Sequence, residues 1–365
     1  YLPRLKKKQL VSNTAPERLI DGNATYLITG GTGGLAKPLM EYLMRRGARH
    51  IAITSRTHYP DDIKALIDKA QQNQIDIKHY IVDAGNYQKM EQVIGEIQQS
   101  PNPLKGVFHL AGLIQDGLIV NLNDEAMQKV ISAKMDGALI LHQLTQNIPL
   151  EWFVMFSSSA SLLGARGQAN YAAANGFLDG LAHLRRQQGL PAISINWGPF
   201  HTTGMAANLT HTLQHYGFLP LDKDNIDILD VLLPSQLPQI SPCPMNWDVY
   251  CKHTPKHMEL SELVKAKPLP DQSFLNALRQ HSKEESISIL SQALREIAAD
   301  VLALDDSEHI SNDHDLFSMG MDSLMSMDIR NRIYDKLQCQ TLSLPIEYFI
   351  NTPTINKIAR HISDE

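Results

Sequence analysis

The chain reads Thr29-Gly30-Gly31-Thr32-Gly33-Gly34-Leu35 directly after the apolar run Tyr26-Leu27-Ile28, and a helix-like segment then continues to Arg45-Arg46-Gly47. Strand, glycine turn and helix therefore come in the order that a dinucleotide site requires. Glycines permit a tight turn and let the backbone approach a pyrophosphate, which rests on amides at the positive end of the helix. The next strand, Ile51-Ala52-Ile53-Thr54, follows at the expected distance. This context favours a phosphate-binding Rossmann turn over an ordinary glycine-rich turn.

The residues that end the second strand bear on which dinucleotide binds. A site for NAD usually has Asp or Glu here, whose carboxylate accepts hydrogen bonds from the ribose hydroxyls, whereas this chain reads Thr54-Ser55-Arg56. Arg56 can form a fork to a 2′-phosphate, and Ser55 can donate a hydrogen bond to it. The pattern predicts NADP(H) as the cofactor. A solvated arginine at a strand end is the alternative.

A second group of residues has the pattern of a proton-transfer site. The apolar run Trp152-Phe153-Val154-Met155-Phe156 leads into Ser157-Ser158-Ser159, and Tyr171 and Asn175 follow four residues apart in a predicted helix. One helical turn puts Tyr171 and Asn175 on the same face, beside Ser158 at the strand end. A tyrosine is a poor acid near neutral pH, so it needs a nearby cation, and Lys134 is the candidate. Taken singly, these residues also fit a packed aromatic, a helix cap and a solvated lysine. Their joint occurrence behind the glycine turn favours a site.

Two further motifs, Val107-Phe108-His109-Leu110-Ala111-Gly112 and Asn196-Trp197-Gly198-Pro199-Phe200, complete a set that resembles the catalytic half of a polyketide synthase ketoreductase. This family is a branch of the short-chain dehydrogenases, and the resemblance covers roughly residues 23 to 250. Ordinary short-chain dehydrogenases carry lysine where this chain has Asn175. The polyketide branch exchanges the lysine and asparagine positions, and Lys134 matches its lysine. The resemblance implies NADPH-dependent reduction of a β-ketoacyl thioester.

The resemblance also implies roles for individual residues. Tyr171 is the implied proton donor, Ser158 holds the ketone oxygen, Lys134 lowers the tyrosine pKa, and Asn175 orders the site. Asp83, after the third strand, is expected near the adenine, with a helix-capping role as the alternative. The residues expected to contact the cofactor are Thr29, Gly30, Gly31, Thr32, Gly33, Gly34, Leu35, Ser55, Arg56, Asp83, Ala111 and Gly112.

The chain departs from the family pattern in two places. The last glycine of the usual turn is Ala36, which is small enough for close helix packing. The family's Leu-Asp-Asp stretch reads Ile114-Gln115-Asp116, and the tryptophan of the opposite stereochemical class is replaced by Leu163. The resemblance therefore points to a B-type reductase that produces the D-configured hydroxyl, with Asp116 in stereocontrol. A plain surface aspartate is the alternative for this position.

A third motif lies near the C-terminus. The stretch Gly320-Met321-Asp322-Ser323-Leu324 precedes an apolar-periodic helix, for which Ser323 could be an ordinary N-terminal cap. With the surrounding loop and helix, however, residues 287 to 362 resemble an acyl carrier protein. In that family a phosphopantetheinyl transferase attaches 4′-phosphopantetheine to the serine, here Ser323, and the arm carries an acyl chain as a thioester. A peptidyl carrier shares this serine, so it is the neighbouring reductase that favours an acyl carrier.

Length, charge and prolines predict two folded units. Residues 286–365 contain 13 acidic and 6 basic side chains, whereas the whole chain of 365 residues has a net charge of −6. An acidic helical unit suits electrostatic docking to basic rims of other synthase domains, although solubility alone would also explain it. A polar stretch with prolines follows residue 252. The expected organisation is a linker over 1–22, the reductase over 23–252, a second linker over 253–285 and the carrier over 286–365.

Several classes of protein and site are disfavoured by composition. The three cysteines, Cys243, Cys251 and Cys339, lack metal-ligand spacing, which predicts reduced thiols in a cytoplasmic protein and no metal site. No signal peptide and no apolar run of membrane-spanning length are present. The basic run Arg4-Leu5-Lys6-Lys7-Lys8 reads as a solvated linker and not as a nucleic-acid site, since the overall charge is negative. The abrupt start at Tyr1 resembles an internal junction of a larger synthase.

The predicted architecture is an α/β doubly wound Rossmann fold with a parallel sheet, followed by a small all-α four-helix carrier domain. Strands are expected near residues 25–30, 50–54, 76–82, 106–110, 151–156, 191–196 and 243–247. The segment 201–219 interrupts the alternation of strands and helices. It is predicted to be a mobile lid, with a plain surface helix as the alternative.

Three functional hypotheses follow. The leading one is an NADPH-dependent reductase acting on an acyl chain that is carried on phosphopantetheine, with other synthase domains and the transferase as partners. The second is a carrier and docking module whose reductase half is an inactive scaffold. The third is a free-standing short-chain alcohol dehydrogenase with an unrelated helical tail, which the Ser323 motif disfavours.

Overall fold

The computed structural model of the chain divides into two compact units, Tyr1–Val264 and Lys265–Glu365, and each unit is described by itself. The structure describes residues 5–10, 19–117, 119, 122–165, 167–201, 203, 213–214, 216–253, 273–302, 304, 306–321, 323–337, 343–345, 347–350 and 353–364. Within these residues no helix combines the length and the apolar character that crossing a bilayer demands.

The first unit is built on a seven-stranded sheet in the order β3-β2-β1-β4-β5-β6-β7. All neighbouring strands in this sheet pair in parallel. The strands are β1 Thr25–Thr29, β2 His50–Ser55, β3 Asp76–Ile81, β4 Leu104–His109, β5 Trp152–Ser158, β6 Ile193–Trp197 and β7 Gln239–Ile240. The chain order reverses between β1 and β4, and such a switch point opens a crevice at the carboxyl ends of the strands.

Helices cover both faces of this sheet, as the doubly wound architecture requires. The helices of the first unit are α1 Ala36–Arg45, α2 Asp61–Gln72, α3 Tyr87–Gln99, α4 Asp124–Ile131, α5 Gly137–Leu144, α6 Ala160–Leu163, α7 Ala169–Gln187, α8 Leu229–Leu232 and α9 Trp247–His253. Buried side chains of α1, α2 and α8 form the core on one face. Those of α3, α5 and α7 form the core on the other. Because both faces are buried, the inner strands are apolar in succession, without alternation.

The strand register brings chemically important residues to one edge of the sheet. Thr29, the last residue of β1, pairs with Thr54 of β2 and with His109 of β4. Ser158 ends β5 and pairs with Trp197 at the end of β6. The glycine turn, His109 and Ser158 therefore all lie at the carboxyl ends of the strands.

Six predicted strands are confirmed, and the position of the seventh is wrong. The expected strand was 243–247, whereas β7 is the pair Gln239–Ile240 and α9 already begins at Trp247. Pro242 and Pro244 flank Cys243, and proline has no amide hydrogen to donate to a ladder. Met245 makes an isolated antiparallel bridge with Phe218 instead.

In its described residues the second unit is all-helical, as predicted. Its helices are α10 Ser273–Gln280, α11 Lys283–Val301, α12 Ser323–Leu337, α13 Glu347–Ile350 and α14 Ile355–Asp364. Helix α11 begins with a capping box, in which Ser282 accepts from the Glu285 amide and the Glu285 side chain accepts from the Ser282 amide. Apolar side chains of α11, α12 and α14, including Leu294, Ile329 and Ile358, form a core of its own.

Three predictions fall wholly or partly on residues that the structure does not describe. These residues are 1–4 and 11–18 of the predicted first linker, 202, 204–212 and 215 of the predicted lid, and 254–272 of the predicted second linker. Thr203, which is described, donates a hydrogen bond from its hydroxyl to the carbonyl of Gly34.

Candidate active site

The glycine turn after β1 is packed too tightly for larger residues. Gly30 has φ +73°, and a Cβ built on it would lie 2.7 Å from the backbone nitrogen of Ala111. A Cβ on Gly31 would lie 2.6 Å from the Cβ of Ile53. Contacts this short would force the backbone apart, so both positions require glycine. The turn is thereby held against the ends of β2 and β4.

The helix that follows the turn presents an uncapped positive end. Among the described residues, no side chain caps the N-terminus of α1, and its first turn contains no acidic residue. The amide of Gly33 donates to the carbonyl of Gly30 at 2.9 Å, which fixes the turn below the helix. Partial positive charge at a helix N-terminus attracts anions. The cradle of Gly30 and Gly31 with this helix end fits the pyrophosphate of a dinucleotide.

At the end of β2, Ser55 and Arg56, the two residues predicted to bind the 2′-phosphate, lie in different environments. Ser55 is buried, and its hydroxyl donates to the carbonyl of Thr57 at 2.6 Å and lies 2.7 Å from Nε2 of His79. Arg56 is exposed and lines a cleft of about 610 Å³ together with Asp83. Asp83 also accepts a hydrogen bond from the amide of Gly85 at 2.9 Å, so it closes its own turn.

Tyr171, Ser158 and Asn175 come together at the carboxyl end of β5. Tyr171 lies in the first turn of α7, where burial raises its pKa above the ordinary value. Hydrogen bonding from the Ser158 and Asn175 side chains acts in the opposite direction, and the charge of Asp116 adds to the increase. Asn175, one turn later, donates from Nδ2 to the carbonyl of Tyr171 at 2.8 Å. Its Oδ1 is buried and has no hydrogen-bond partner among the described residues. The tyrosine hydroxyl is therefore protonated at neutral pH and next to polar groups.

Lys134 reaches this group from a distorted helical turn. It lies in a π-helical segment, Ser132–Asp136, between α4 and α5, and such segments are frequent at functional sites. Its Nζ donates to the carbonyl of Phe156 at 2.7 Å and lies 5.5 Å from the centre of the Tyr171 ring. Burial lowers the pKa of Lys134 to about 7, and the charge of Asp179 acts in the opposite direction. A Cβ on Gly112 would lie 2.7 Å from Cε of Lys134, so this glycine makes room for the lysine stem.

Asp116 is tied to the start of the tyrosine helix. Its Oδ1 accepts a hydrogen bond from Nε2 of Gln168 at 3.0 Å, and Gln168 is the residue directly before α7. The amide of Gly117 donates to the carbonyl of Gly167 at 2.8 Å. The loop that carries Asp116 is thus fixed three residues before Tyr171. Leu163, the position of the absent tryptophan, ends α6.

Ser323 belongs to the second unit, where it is the first residue of α12. The preceding turn reverses at Gly320, which has φ +96°. Met321 is buried in the core of this unit. The sequence-predicted modification site therefore lies at a loop-to-helix junction.

Comparison with known proteins agrees with both halves of this geometry. Residues 24–202 match the model of the KR domain, and residues 292–362 match the model of the phosphopantetheine attachment site. The chain is a ketoreductase domain followed by a phosphopantetheine carrier domain. The first unit is thus an oxidoreductase domain, and the second contains a phosphopantetheine attachment site.

Relatives of the whole chain are large synthases. It is 30% identical over 352 residues to polyketide synthase GfsE of Streptomyces halstedii, covering 91% of this chain and 9% of that protein. It is 29% identical over 371 residues to erythronolide synthase EryA2 of Saccharopolyspora erythraea, covering 98% of this chain and 10% of that protein. The chain therefore spans about a tenth of the length of these relatives.

Solved ketoreductases share the fold of the first unit. A structure of A-type ketoreductases from a modular polyketide synthase superposes with a TM-score of 0.66 at 29% identity, covering 70% of this chain and 55% of that one. The first ketoreductase of the tylosin polyketide synthase gives a TM-score of 0.58 at 31% identity, covering 66% of this chain and 52% of that one.

The ketoreductase domain has a buried histidine, His109, to which the sequence motif alone assigned no role. Nδ1 of His109 lies 2.7 Å from the hydroxyl of Thr29, and Nε2 lies 2.9 Å from the carbonyl of Lys134. A carbonyl only accepts, so Nε2 carries the hydrogen and Thr29 donates to Nδ1. Burial lowers the pKa of His109 to about 4, which keeps the ring neutral. His109 thus joins the end of β1 to the lysine turn. In the sequence, the sign of such a residue was a polar side chain between the apolar residues Phe108 and Leu110.

A second residue of the ketoreductase domain, Asp179, was not anticipated at all. It is buried on α7, one turn after Asn175, and accepts hydrogen bonds from Ser161, Ser194 and Asn196. Only the helical spacing of Tyr171, Asn175 and Asp179 could have pointed to it.

Proposed function

We propose that this chain reduces a β-ketoacyl thioester to a β-hydroxyacyl thioester with NADPH, the acyl chain being carried on 4′-phosphopantetheine at Ser323. The observation that supports this most is the meeting of Ser158, Tyr171 and Lys134 beside the glycine turn at the switch point of the sheet. Each of the three alone has an ordinary structural explanation. A buried tyrosine, a buried lysine and a serine at a cofactor crevice fit carbonyl reduction.

The cofactor, when bound, supplies a hydride to the β-carbon. The residues proposed to hold it are those of the glycine turn, Thr29 to Leu35, with Ala111 and Gly112 at the end of β4. The uncapped N-terminus of α1 would hold the pyrophosphate of the bound cofactor. These residues would bind the cofactor, whereas Ser158, Tyr171 and Lys134 take part in the proton transfer.

The protein's own part in the reaction is to hold the ketone oxygen and to protonate it. Ser158 Oγ accepts from the amide of Ala160 at 3.2 Å, so its own hydrogen can be donated to a bound carbonyl. Tyr171 carries its proton at neutral pH and transfers it to the same oxygen. The phenolate that remains is stabilised by the nearby Lys134 ammonium in a site from which water is largely excluded. Asn175 orders the tyrosine turn through its hydrogen bond to the Tyr171 carbonyl.

We propose NADPH over NADH because β2 ends in Ser55-Arg56, without a carboxylate. Since the Ser55 hydroxyl already donates to Thr57, exposed Arg56 is the main proposed partner of the 2′-phosphate. Asp83 lines the same cleft, which supports its placement near the adenine.

The proposed product is the D-configured alcohol. Asp116 is held by Gln168 close to Tyr171, where it can guide the entry of the pantetheine arm, and Leu163 replaces the tryptophan of the other class. The solved A-type ketoreductases share the fold of this chain. The A type is named for those proteins and does not assign the stereochemistry of this chain.

The proposed partners are the phosphopantetheinyl transferase and other synthase domains, which the acidic carrier would meet through charge complementarity. The domain limits 23–252 and 286–365, a cytoplasmic location, and the lack of nucleic-acid and membrane partners remain predictions.

The decisive experiment is a reductase assay on a β-ketoacyl N-acetylcysteamine thioester, with NADPH and NADH compared and the product analysed by chiral chromatography. Turnover with NADPH is expected. No turnover with either cofactor would favour the inactive-scaffold hypothesis.

Mass spectrometry after incubation with a phosphopantetheinyl transferase and coenzyme A tests the carrier. A gain of the arm's mass on Ser323 is expected, and its absence, with reductase activity retained, would favour a free-standing alcohol dehydrogenase.

A further inference from the structure

Asp179 is the centre of a buried polar cluster behind the proposed active site. Its Oδ1 accepts from Ser194 Oγ at 2.6 Å and lies 3.0 Å from Asn196 Nδ2. Its Oδ2 accepts from Ser161 Oγ at 2.7 Å and lies 2.9 Å from the same Asn196 nitrogen. Only 7% of Asp179 is exposed, so its charge depends on these donors in place of water.

Asn196 connects this carboxylate to the loop of the proposed catalytic serine. Its Nδ2 lies 3.0 Å from Ser157 Oγ, 2.8 Å from Ser161 Oγ and 3.3 Å from the Ser158 carbonyl. An amide nitrogen has two hydrogens, so one serves the carboxylate and the other serves the serine loop. Ser161 has a single hydroxyl hydrogen, which the charged Asp179 attracts more strongly than the Ser158 carbonyl at 2.9 Å. Residues 157–161, the turn from β5 into α6 that is here called the Ser158 loop, are therefore held by Asp179 through Asn196 and Ser161.

Helix α7, which carries Asp179, packs against the π-helical segment that carries Lys134, and the negative charge of Asp179 raises the pKa of Lys134 against the larger effect of burial. Of the titratable groups that face Lys134, His109 from β4 is neutral and Tyr171 from α7 is protonated. The charged residues of α4 are exposed, and Lys129 there pairs with Glu125. Asp136, two residues after Lys134 in the same π-helical segment, is half-buried. Asp116 is exposed and bonded to Gln168. Among the described residues, Asp179 is the carboxylate whose charge favours the protonated form of Lys134.

We propose that Asp179 is a positioning residue, which holds the Ser158 loop through Asn196 and Ser161 and provides the buried negative charge that balances Lys134. This inference deepens the proposed ketone reduction and rests on it. The buried lysine has to be a cation when Tyr171 gives up its proton, and desolvation alone disfavours that state. Asp179 on α7 thereby acts on both groups that assist Tyr171, the Ser158 hydroxyl and the Lys134 ammonium.

The test is Asp179→Asn, which keeps the shape of the side chain and removes the charge and one acceptor. Without the negative charge the pKa of Lys134 falls further below its ordinary value, so the lysine loses its proton at a lower pH. We expect the alkaline limb of the kcat–pH profile to move down by on the order of one pH unit. At pH 7.5, kcat should fall about tenfold to a hundredfold with the Kd for NADPH unchanged.

Two control variants separate position from charge. Ser161→Ala removes one link to the loop but leaves the carboxylate, so kcat should fall while the alkaline limb stays at the parental pH. Ser194→Ala removes a hydrogen bond on the side away from the Ser158 loop and should also leave the limb in place. If Asp179→Asn leaves both limb and kcat unchanged, the proposal is wrong. If kcat falls but the limb stays, the charge role is wrong.

A measurement that needs no turnover makes the test independent of the proposed function. The Lys134 side chain is titrated by NMR in lysine-labelled protein, with its signal assigned by its loss in Lys134→Met. A pKa that is lower in Asp179→Asn than in the parent supports the charge role, and an unchanged pKa refutes it. If Asp179→Asn does not fold, Ser161→Ala still decides the positioning role through kcat. A parent chain with no reductase activity refutes the proposed function, whereas the NMR titration still tests Asp179.

Discussion

Replacing Lys134 by methionine should stabilise the ketoreductase unit while abolishing its activity. Methionine has a similar length but no charge, and Lys134 is 2% exposed with a pKa lowered from 10.5 to about 7. At about 1.4 kcal/mol per pKa unit, this shift corresponds to roughly 5 kcal/mol of unfavourable free energy for burying the cation. The lost hydrogen bond to the Phe156 carbonyl offsets about 1–2 kcal/mol of the gain. The expected stabilisation near pH 6 is therefore about 3–4 kcal/mol.

The pH dependence of this difference identifies its cause. The native pKa of Lys134 lies below the unfolded one, so between about pH 7 and 10.5 the unfolded chain binds more protons and the parent becomes more stable as pH rises. The penalty is complete below pH 7 and declines above it. The advantage of Lys134→Met should thus shrink by roughly 2–3 kcal/mol between pH 7 and pH 9.

Tryptophan fluorescence during urea unfolding measures this in the full chain. All three tryptophans, Trp152, Trp197 and Trp247, lie in the first unit, so the signal reports on that unit alone. The midpoint and slope at pH 6, 7 and 9 yield the free energy of unfolding for parent and variant. Equal stability of the two proteins at pH 6, or a difference that does not change with pH, would refute the reasoning.

Four further predictions concern the site residues. Tyr171→Phe keeps the ring but removes the transferable proton, so turnover should collapse while NADPH still binds, as followed by cofactor fluorescence; turnover near the parental rate would remove Tyr171 from the mechanism. Arg56→Asp should reduce the preference for NADPH over NADH by about tenfold or more in kcat/KM, since it loses a charged partner of the 2′-phosphate and gains repulsion; equal use of both cofactors by the parent contradicts the assignment. Asp116→Ala should lower the stereochemical purity of the product more than the rate, because it releases Gln168, and mainly L-alcohol from the parent on a chiral column would overturn the B-type prediction. Ser323→Ala should prevent loading of the arm, seen by mass spectrometry, while reduction of a free thioester continues; loading elsewhere in the variant would show that another residue accepts the arm.

Local sequence was sufficient for most of the fold and for the residues of the proposed site. Apolar runs bounded by glycine and polar residues identified six strands, because a strand buried on both faces must be apolar throughout. The glycine turn could be recognised since Gly30 and Gly31 sit where any Cβ would collide with β4 or β2. The seventh strand was misplaced because its position depends on where β6 finds an edge partner, and the nearby prolines remove donors. Helical spacing showed that Tyr171 and Asn175 share a face, and their joint occurrence with Ser158 and Lys134 behind the glycine turn identified them as site residues.

Tertiary structure decided how these residues work together. Lys134 and Phe156 are 22 residues apart in sequence, and the π-helical turn that aims the lysine at the β5 carbonyl has no periodic signature. The neutrality of His109 and the raised pKa of Tyr171 come from burial, which depends on the whole packed sheet. The cluster around Asp179 joins α7 to β6 and to the serine loop across 15 to 18 residues of sequence. Short-range spacing determines which side chains share a face, whereas desolvation and long-range hydrogen bonds, which set the charge and orientation of each group, exist only once the chain has folded.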